Sequence, residues 1–205
     1  MTEPNPTRTT LVALLFEGGL GAAALAIGWL LGYWPGVGMS VGSGGTQEQI
    51  EAIGWGLVAT GPLIVALVVI DRIPLGPLAR LRETTEEVVL QMFRGASFVQ
   101  LAAVSIAAGL GEELLFRGLV QAGLTNLVGG PLAPWIALAG ASILFGVCHW
   151  LSTTYAILAV LAGAYFGLLL ILTGNLWTPI VAHAAYDLLA LIYLVRPSHL
   201  VRWRE

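Results

Sequence analysis

Besides a lone Glu17, six ionisable side chains in this sequence stand within long apolar stretches, where a charge is costly and is a functional candidate by default. They fall in three clusters: Glu112-Glu113-Leu-Leu-Phe-Arg117, Phe145-Gly-Val-Cys-His149 and His183-Ala-Ala-Tyr-Asp187. Glu113 and Arg117 are four residues apart, so on a helix they share a face and pair. Glu112 is rotated by about 100° from Glu113 and cannot share that arginine. It is the carboxylate left to face a cavity, where it suits the role of general base on water. His183 and Asp187 also share a helical face, and the aspartate can fix the imidazole's tautomer or act as a ligand itself. Phe145 lies one turn before His149 and packs beside it.

Glu112, His149 and His183, brought together from three helices, could do one of two things. They could bind a divalent metal such as zinc, with an open position for water. Alternatively Glu112 could activate water directly while the histidines stabilise the oxyanion of a tetrahedral intermediate. Both amount to hydrolysis of an amide inside a membrane, and the residues leave the two open.

The elements that must position these groups are membrane helices. The chain has 205 residues, 57% apolar and 10% charged, whereas soluble domains carry about a quarter charged residues. Its mean hydropathy is +0.85. A bilayer core needs about twenty apolar helical residues to cross. Six stretches qualify: Leu11–Tyr33, Ala52–Ile70, Ser97–Gly123, Pro134–Leu151, Tyr155–Leu172 and Trp177–Val195. The first follows a short polar N-terminus and exceeds a signal-peptide core in length, so it reads as a retained helix. A Gly/Ser-rich loop is expected over Gly36–Gln49. The segment Asp71–Arg94 mixes charges with Leu78, Leu81, Val88, Val89, Met92 and Phe93, which predicts an amphipathic helix on the membrane surface. The expected fold is therefore all-α: a polytopic bundle of about six transmembrane helices plus one surface helix, a single integral membrane domain over residues 1–205.

Nine arginines and no lysine carry the positive charge. With six spans, Arg8, the 71–94 segment and Arg196, Arg202 and Arg204 all fall on one side, which predicts both termini in the cytoplasm. The formal charge of −3 gives no reason to expect nucleic acid as a partner. Cys148 alone excludes an intrachain disulfide framework and a Cys-rich zinc site.

Plainer roles compete with the chemical ones. Glu113 and Arg117 suit a structural ion pair, but that leaves Glu112 without a partner. His149 could be interhelical glue, and His183 with Asp187 a structural hydrogen-bonded pair. Glu17, alone in the first span, reads as structural, and Gly18-Gly19-x-Gly21 as a close-packing face. Tryptophans near span ends, among them Trp34, Trp135, Trp150, Trp177 and Trp203, suit an interfacial belt. His199 follows Pro197 in the polar tail and reads as solvated.

The three clusters, in this order and spacing on membrane spans, resemble the CPBP family of intramembrane endopeptidases, which includes CAAX prenyl proteases and bacteriocin-processing enzymes. The resemblance covers about residues 97–195. It implies that Glu112 activates water, that His149 and His183 are its catalytic partners, and that Glu113 and Arg117 support them. It implies a peptide or membrane-protein substrate, the bilayer as medium, membership of a membrane-protein complex as an option, and a bacterial inner membrane. Members of the family are described both as metalloproteases and as glutamic proteases. The family pattern usually carries Asn where this chain has Asp187. An amide can donate to an oxyanion and an ionised carboxylate repels one, so Asp187 is expected to be protonated, to serve His183 or to ligate a metal.

Other classes fit less well. There is no Gly-x-Ser-Gly motif before a helical histidine, Gly140-Ala-Ser142-Ile being the nearest approach, and no HExxH. A proton-coupled transporter would show repeated halves, and none is evident. A noncatalytic scaffold that retains the site residues is compatible with the sequence. Geometry sets the remaining demand. By residue count, His149 lies near the inner end of its span, whereas Glu112 and His183 lie toward the outer side. Their meeting requires staggered, tilted or broken helices, which Gly140, Gly146 and Pro179 would permit.

Overall fold

The computed structural model describes residues 5–39 and 45–195, all of whose regular elements are helical. Arg196, His199, Arg202, Trp203 and Arg204 lie outside the described residues. In order the elements are α1 (Pro6–Leu30), α2 (Gly45–Arg72), α3 (Gly76–Phe93) and α4 (Phe98–Glu113). A π-helical segment (Leu114–Gln121) follows, then α5 (Ala122–Val128), α6 (Ala133–Cys148), α7 (Thr153–Thr173) and α8 (Trp177–Val195).

Local sequence explains the helix ends. Asn5 accepts from the Arg8 N–H at 3.1 Å and Pro6 opens α1, satisfying an otherwise orphaned donor. Ser97 and Gln100 form a reciprocal capping box at α4, with bonds of 3.3 and 2.8 Å. Ser152 caps α7, which stops at Gly174 in the left-handed conformation. The expected loop over Gly36–Gln49 is shorter than the sequence suggested, because α2 starts at Gly45.

The bundle is inverted relative to a soluble protein. Trp29, Leu30, Val99 and Leu172 are each more than 70% exposed, while Glu113, Arg117, Gln121 and His183 are buried. That pattern suits lipid outside and a polar interior. Among the described residues five helices are long and apolar enough to cross a membrane: α1, α2, the continuous Phe98–Val128 rod, α7 and α8. The sixth, α6, has only 16 residues, about 24 Å against a hydrocarbon core of about 30 Å. The amphipathic segment is α3, but it does more than lie on a surface. Its Leu81 and Phe93 are buried, and Phe93 packs with Leu101, Val104, Leu188 and Leu191.

Short and sunken helices meet the geometric demand. Glu112 stands 16 residues before the end of α5, and His149 stands 16 residues after the start of α6. The two runs are joined by a tight turn at Gly129 and Gly130, and the return run brings His149 Nε2 to 3.4 Å from Glu112 Oε2. For α8 the cover is Tyr33–Met39. The Tyr33 hydroxyl donates to the Gly118 carbonyl at 2.9 Å, and the Leu176 N–H donates to the Val37 carbonyl at 2.9 Å. Leu176 and Thr178 are fully buried, so α8 starts inside the bundle. Glu112 lies six residues from Gly118 and His183 seven from Leu176, both of them held by this cover. All three groups reach one depth.

Candidate active site

The π-helical segment begins directly after Glu113. Such segments widen the turn through i→i+5 bonding and recur at functional sites. At its start, Glu113 and Arg117 form an ion pair at 3.0 Å with side chains 0% and 1% exposed. Arg117 spends its second terminal nitrogen on the Gly163 carbonyl of α7, also at 3.0 Å. A buried charge pair is tolerable only when its remaining donors are satisfied, and here the backbone of α7 supplies an acceptor. Close approach requires Gly163: a Cβ there would lie 3.4 Å from the guanidinium and 3.2 Å from Ser142 Cα.

Glu113 has a second partner. His183 Nδ1 lies 2.8 Å from the same Oε1 atom that Arg117 holds. An ionised carboxylate oxygen only accepts, so Nδ1 carries a proton and donates it. The imidazole is thus oriented by Glu113, the partner that spacing alone had suggested for Asp187. Its other nitrogen, Nε2, faces Asp187 Oδ2 at 3.5 Å. The ring lies flat on Phe166, with centroids 4.6 Å apart and planes 13° from parallel.

His149 follows the same pattern on a different element. It caps α6, and its Nδ1 lies 2.8 Å from the Phe145 carbonyl. A carbonyl only accepts, so this Nδ1 is also the protonated nitrogen, leaving Nε2 directed at Glu112 Oε2, 3.4 Å away. That Glu112 oxygen is buried and makes no hydrogen bond. The His149 ring stacks on Phe145 at 4.2 Å and 25°. The Arg117 guanidinium sits 4.4 Å from the Phe145 centroid and 5.3 Å from that of Phe166, within cation–π range. One arginine therefore braces both rings that back the histidines.

Glu112, His149, His183, Asp187 and Phe145 all line one cavity of about 420 Å³. Glu113 and Arg117 are not among its lining residues and act from behind. The walls are mostly apolar, with Leu67 and Ile70 from α2, Leu158 from α7 and Leu191 from α8. Helix α3 closes one side through Leu78, Leu81, Arg82, Val89 and Met92. Arg82 pairs with Asp71 at 2.7 Å, and Asp71 also accepts from the Tyr193 hydroxyl at 2.8 Å, which ties α3 to α2 and α8.

The side chains do not form a ready metal site. Among the described residues no three His, Cys, Asp or Glu side chains are gathered closely enough to hold an ion. Within the cavity His149 faces Glu112 while His183 faces Glu113 and Asp187, so the ligand set left open by the sequence is not assembled as such.

Four contributors to the site were missed or undervalued in the sequence. Phe166 stacks under His183, but nothing in an apolar helix marks one phenylalanine for that role. Tyr155 and Tyr186 line the cavity; Tyr186 is signalled only by standing beside Asp187. Glu17, read as structural, also lines the cavity and has a buried Oε2 without a hydrogen bond. An isolated carboxylate in a span was its available signal.

Residues 94–189 match a family model described as type II CAAX prenyl endopeptidase, Rce1-like. This is the family that the three clusters resemble, and the matched stretch contains all of them. It leaves out α1, α2 and α3 entirely. No curated protein and no solved structure matches the chain.

Proposed function

We propose, from the match of residues 94–189 to the Rce1-like endopeptidases and from the cavity those residues line, that the chain is an intramembrane endopeptidase working through water activated by Glu112. The observation that carries this reading is the unsatisfied approach of Glu112 Oε2 to His149 Nε2 at 3.4 Å. Both atoms are acceptors when the histidine is neutral and its Nδ1–H is already donated to Phe145. A water bridging them from the cavity side donates one hydrogen to each and presents its lone pair outward.

In the reaction Glu112 takes a proton from this water as its oxygen attacks the peptide carbonyl carbon. The carbonyl π pair moves onto oxygen and gives a tetrahedral oxyanion. Protonated His183 has an Nε2–H to donate to that oxygen, with Glu113 behind it fixing the ring. Asp187, opposite Nε2, serves His183; this agrees with its being a carboxylate where the family usually has an amide. Collapse of the intermediate breaks the C–N bond, and the proton held by Glu112 passes to the leaving nitrogen. An acid and an amine result. No step requires a metal.

The mostly apolar cavity favours a peptide segment that is itself apolar or membrane-bound, the arginine distribution favours cytoplasmic termini, and the family resemblance favours a bacterial inner membrane. The test is proteolysis by purified protein in liposomes carrying membrane-anchored peptides, read by mass spectrometry of the new termini, with and without a strong zinc chelator. Cleavage that persists with chelator supports water activated by the side chains alone. Cleavage lost to chelator and restored by zinc shows that these groups close around a metal. No cleavage of any peptide rejects the protease and favours a scaffold.

A further inference from the structure

Helix α1 lies outside the matched segment, yet it brings a carboxylate to the same cavity. A Cβ on Gly111 would collide with the backbone oxygen of Glu17, and a Cβ on Gly21 would stand 3.3 Å from Gly111 Cα. The α1 backbone is therefore pressed onto α4 at the residue just before Glu112. Glu17 is set there by main-chain packing, and its Oε2 is buried with no hydrogen bond.

The surroundings make this an acid short of a cation. The cavity gathers Glu17, Glu112 and Asp187 with His149 and His183; His149 gives its Nδ1–H to the Phe145 carbonyl, and protonated His183 stands between Glu113 and Asp187, which leaves Glu17 without a cation of its own. The neighbouring arginines are engaged: Arg117 by Glu113 and the Gly163 carbonyl, Arg82 by Asp71. A bare metal ion would need three ligands drawn together, and no such group stands among the described residues. A cation on a long aliphatic stem fits better, because the stem lies along apolar walls while its head reaches the acids.

We infer that the cavity accepts a peptide segment with a lysine or arginine beside the scissile bond, and that Glu17 is the residue that recognises it. This rests on the endopeptidase reading above. The position next to the bond follows from Gly111, which joins the Glu17 contact to Glu112 in sequence.

Paired membrane-anchored peptides test it, identical except for lysine against acetyl-lysine, or arginine against citrulline, at each position flanking the cleaved bond. Wild type should prefer the charged member at one position by at least about tenfold in kcat/KM, the scale of a hydrogen bond to a charged group. In Glu17→Gln that ratio should fall to about 1, and Glu17→Lys should favour a glutamate-bearing peptide instead. Thermal melting of both variants confirms that they fold. If wild type cleaves without preference, or Glu17→Gln keeps the wild-type ratio, the inference is overturned while the protease stands. If wild type cleaves nothing, the protease falls. Binding of the same pairs to Glu112→Gln and to Glu112→Gln/Glu17→Gln then judges Glu17 by itself, and equal affinities overturn it.

Discussion

Replacing Arg117 by alanine tests whether the charge pair behind the cavity works as a unit. Arg117 and Glu113 are completely enclosed, and Glu113 Oε1 serves both the guanidinium and His183. Removing one member of a buried pair costs about 3–5 kcal/mol, because the other charge is stranded. Loss of the contact with Phe145, 4.4 Å from the guanidinium, adds about 0.5–1 kcal/mol. A total of about 4 kcal/mol corresponds to a fall in melting temperature of about 8–16 °C for a chain of this size. The double variant Glu113→Gln/Arg117→Met removes both charges and leaves an amide oxygen to accept from His183. It should recover most of the loss, leaving a deficit of about 1–2 kcal/mol, since apolar replacements of buried pairs are often nearly neutral. Melting curves of wild type, Glu113→Gln, Arg117→Met and the double in one detergent measure the coupling. Strictly additive effects, or an Arg117→Ala melting temperature within about 2 °C of wild type, would refute the claim that this pair is isolated from water.

Two further outcomes follow from the same geometry. Gly111→Val pushes a side chain into the Glu17 backbone oxygen; overpacking of this kind costs about 1–3 kcal/mol, and a cysteine crosslink between α1 and α4 should slow relative to wild type. His183→Asn keeps an N–H able to reach Glu113, whereas His183→Leu removes the donor, so the leucine variant should be the less stable by about 1–3 kcal/mol in melting experiments. Both His183 variants should lose peptide turnover.

The helices were legible because a bilayer imposes long apolar runs, and Trp177–Val195 coincides with α8 as read from the residues. The three clusters were legible for the opposite reason: ionisable groups stand out against such runs. The short reach of α6 was not legible, because Leu151 and Trp150 extend its apolar composition past the point where the chain turns. The π-helical segment was also hidden, since Leu114, Leu115 and Phe116 satisfy an α-helical pattern equally well. The bond from His183 to Glu113 joins residues 70 apart in sequence, and helical spacing cannot report such a partner. Glu17 was undervalued for a related reason. Its importance comes from the glycine on the facing helix that lets α1 approach.

The account turns on Glu112 as the group that activates water, and turnover by purified Glu112→Gln tests it most directly. Glutamine preserves size and an acceptor oxygen but cannot take the proton, so cleavage should fall by about 10²–10⁴-fold, the usual contribution of a general base. The melting temperature should stay near that of wild type, because Glu112 Oε2 makes no hydrogen bond to lose. Cleavage at the wild-type rate by a folded Glu112→Gln protein would contradict the account.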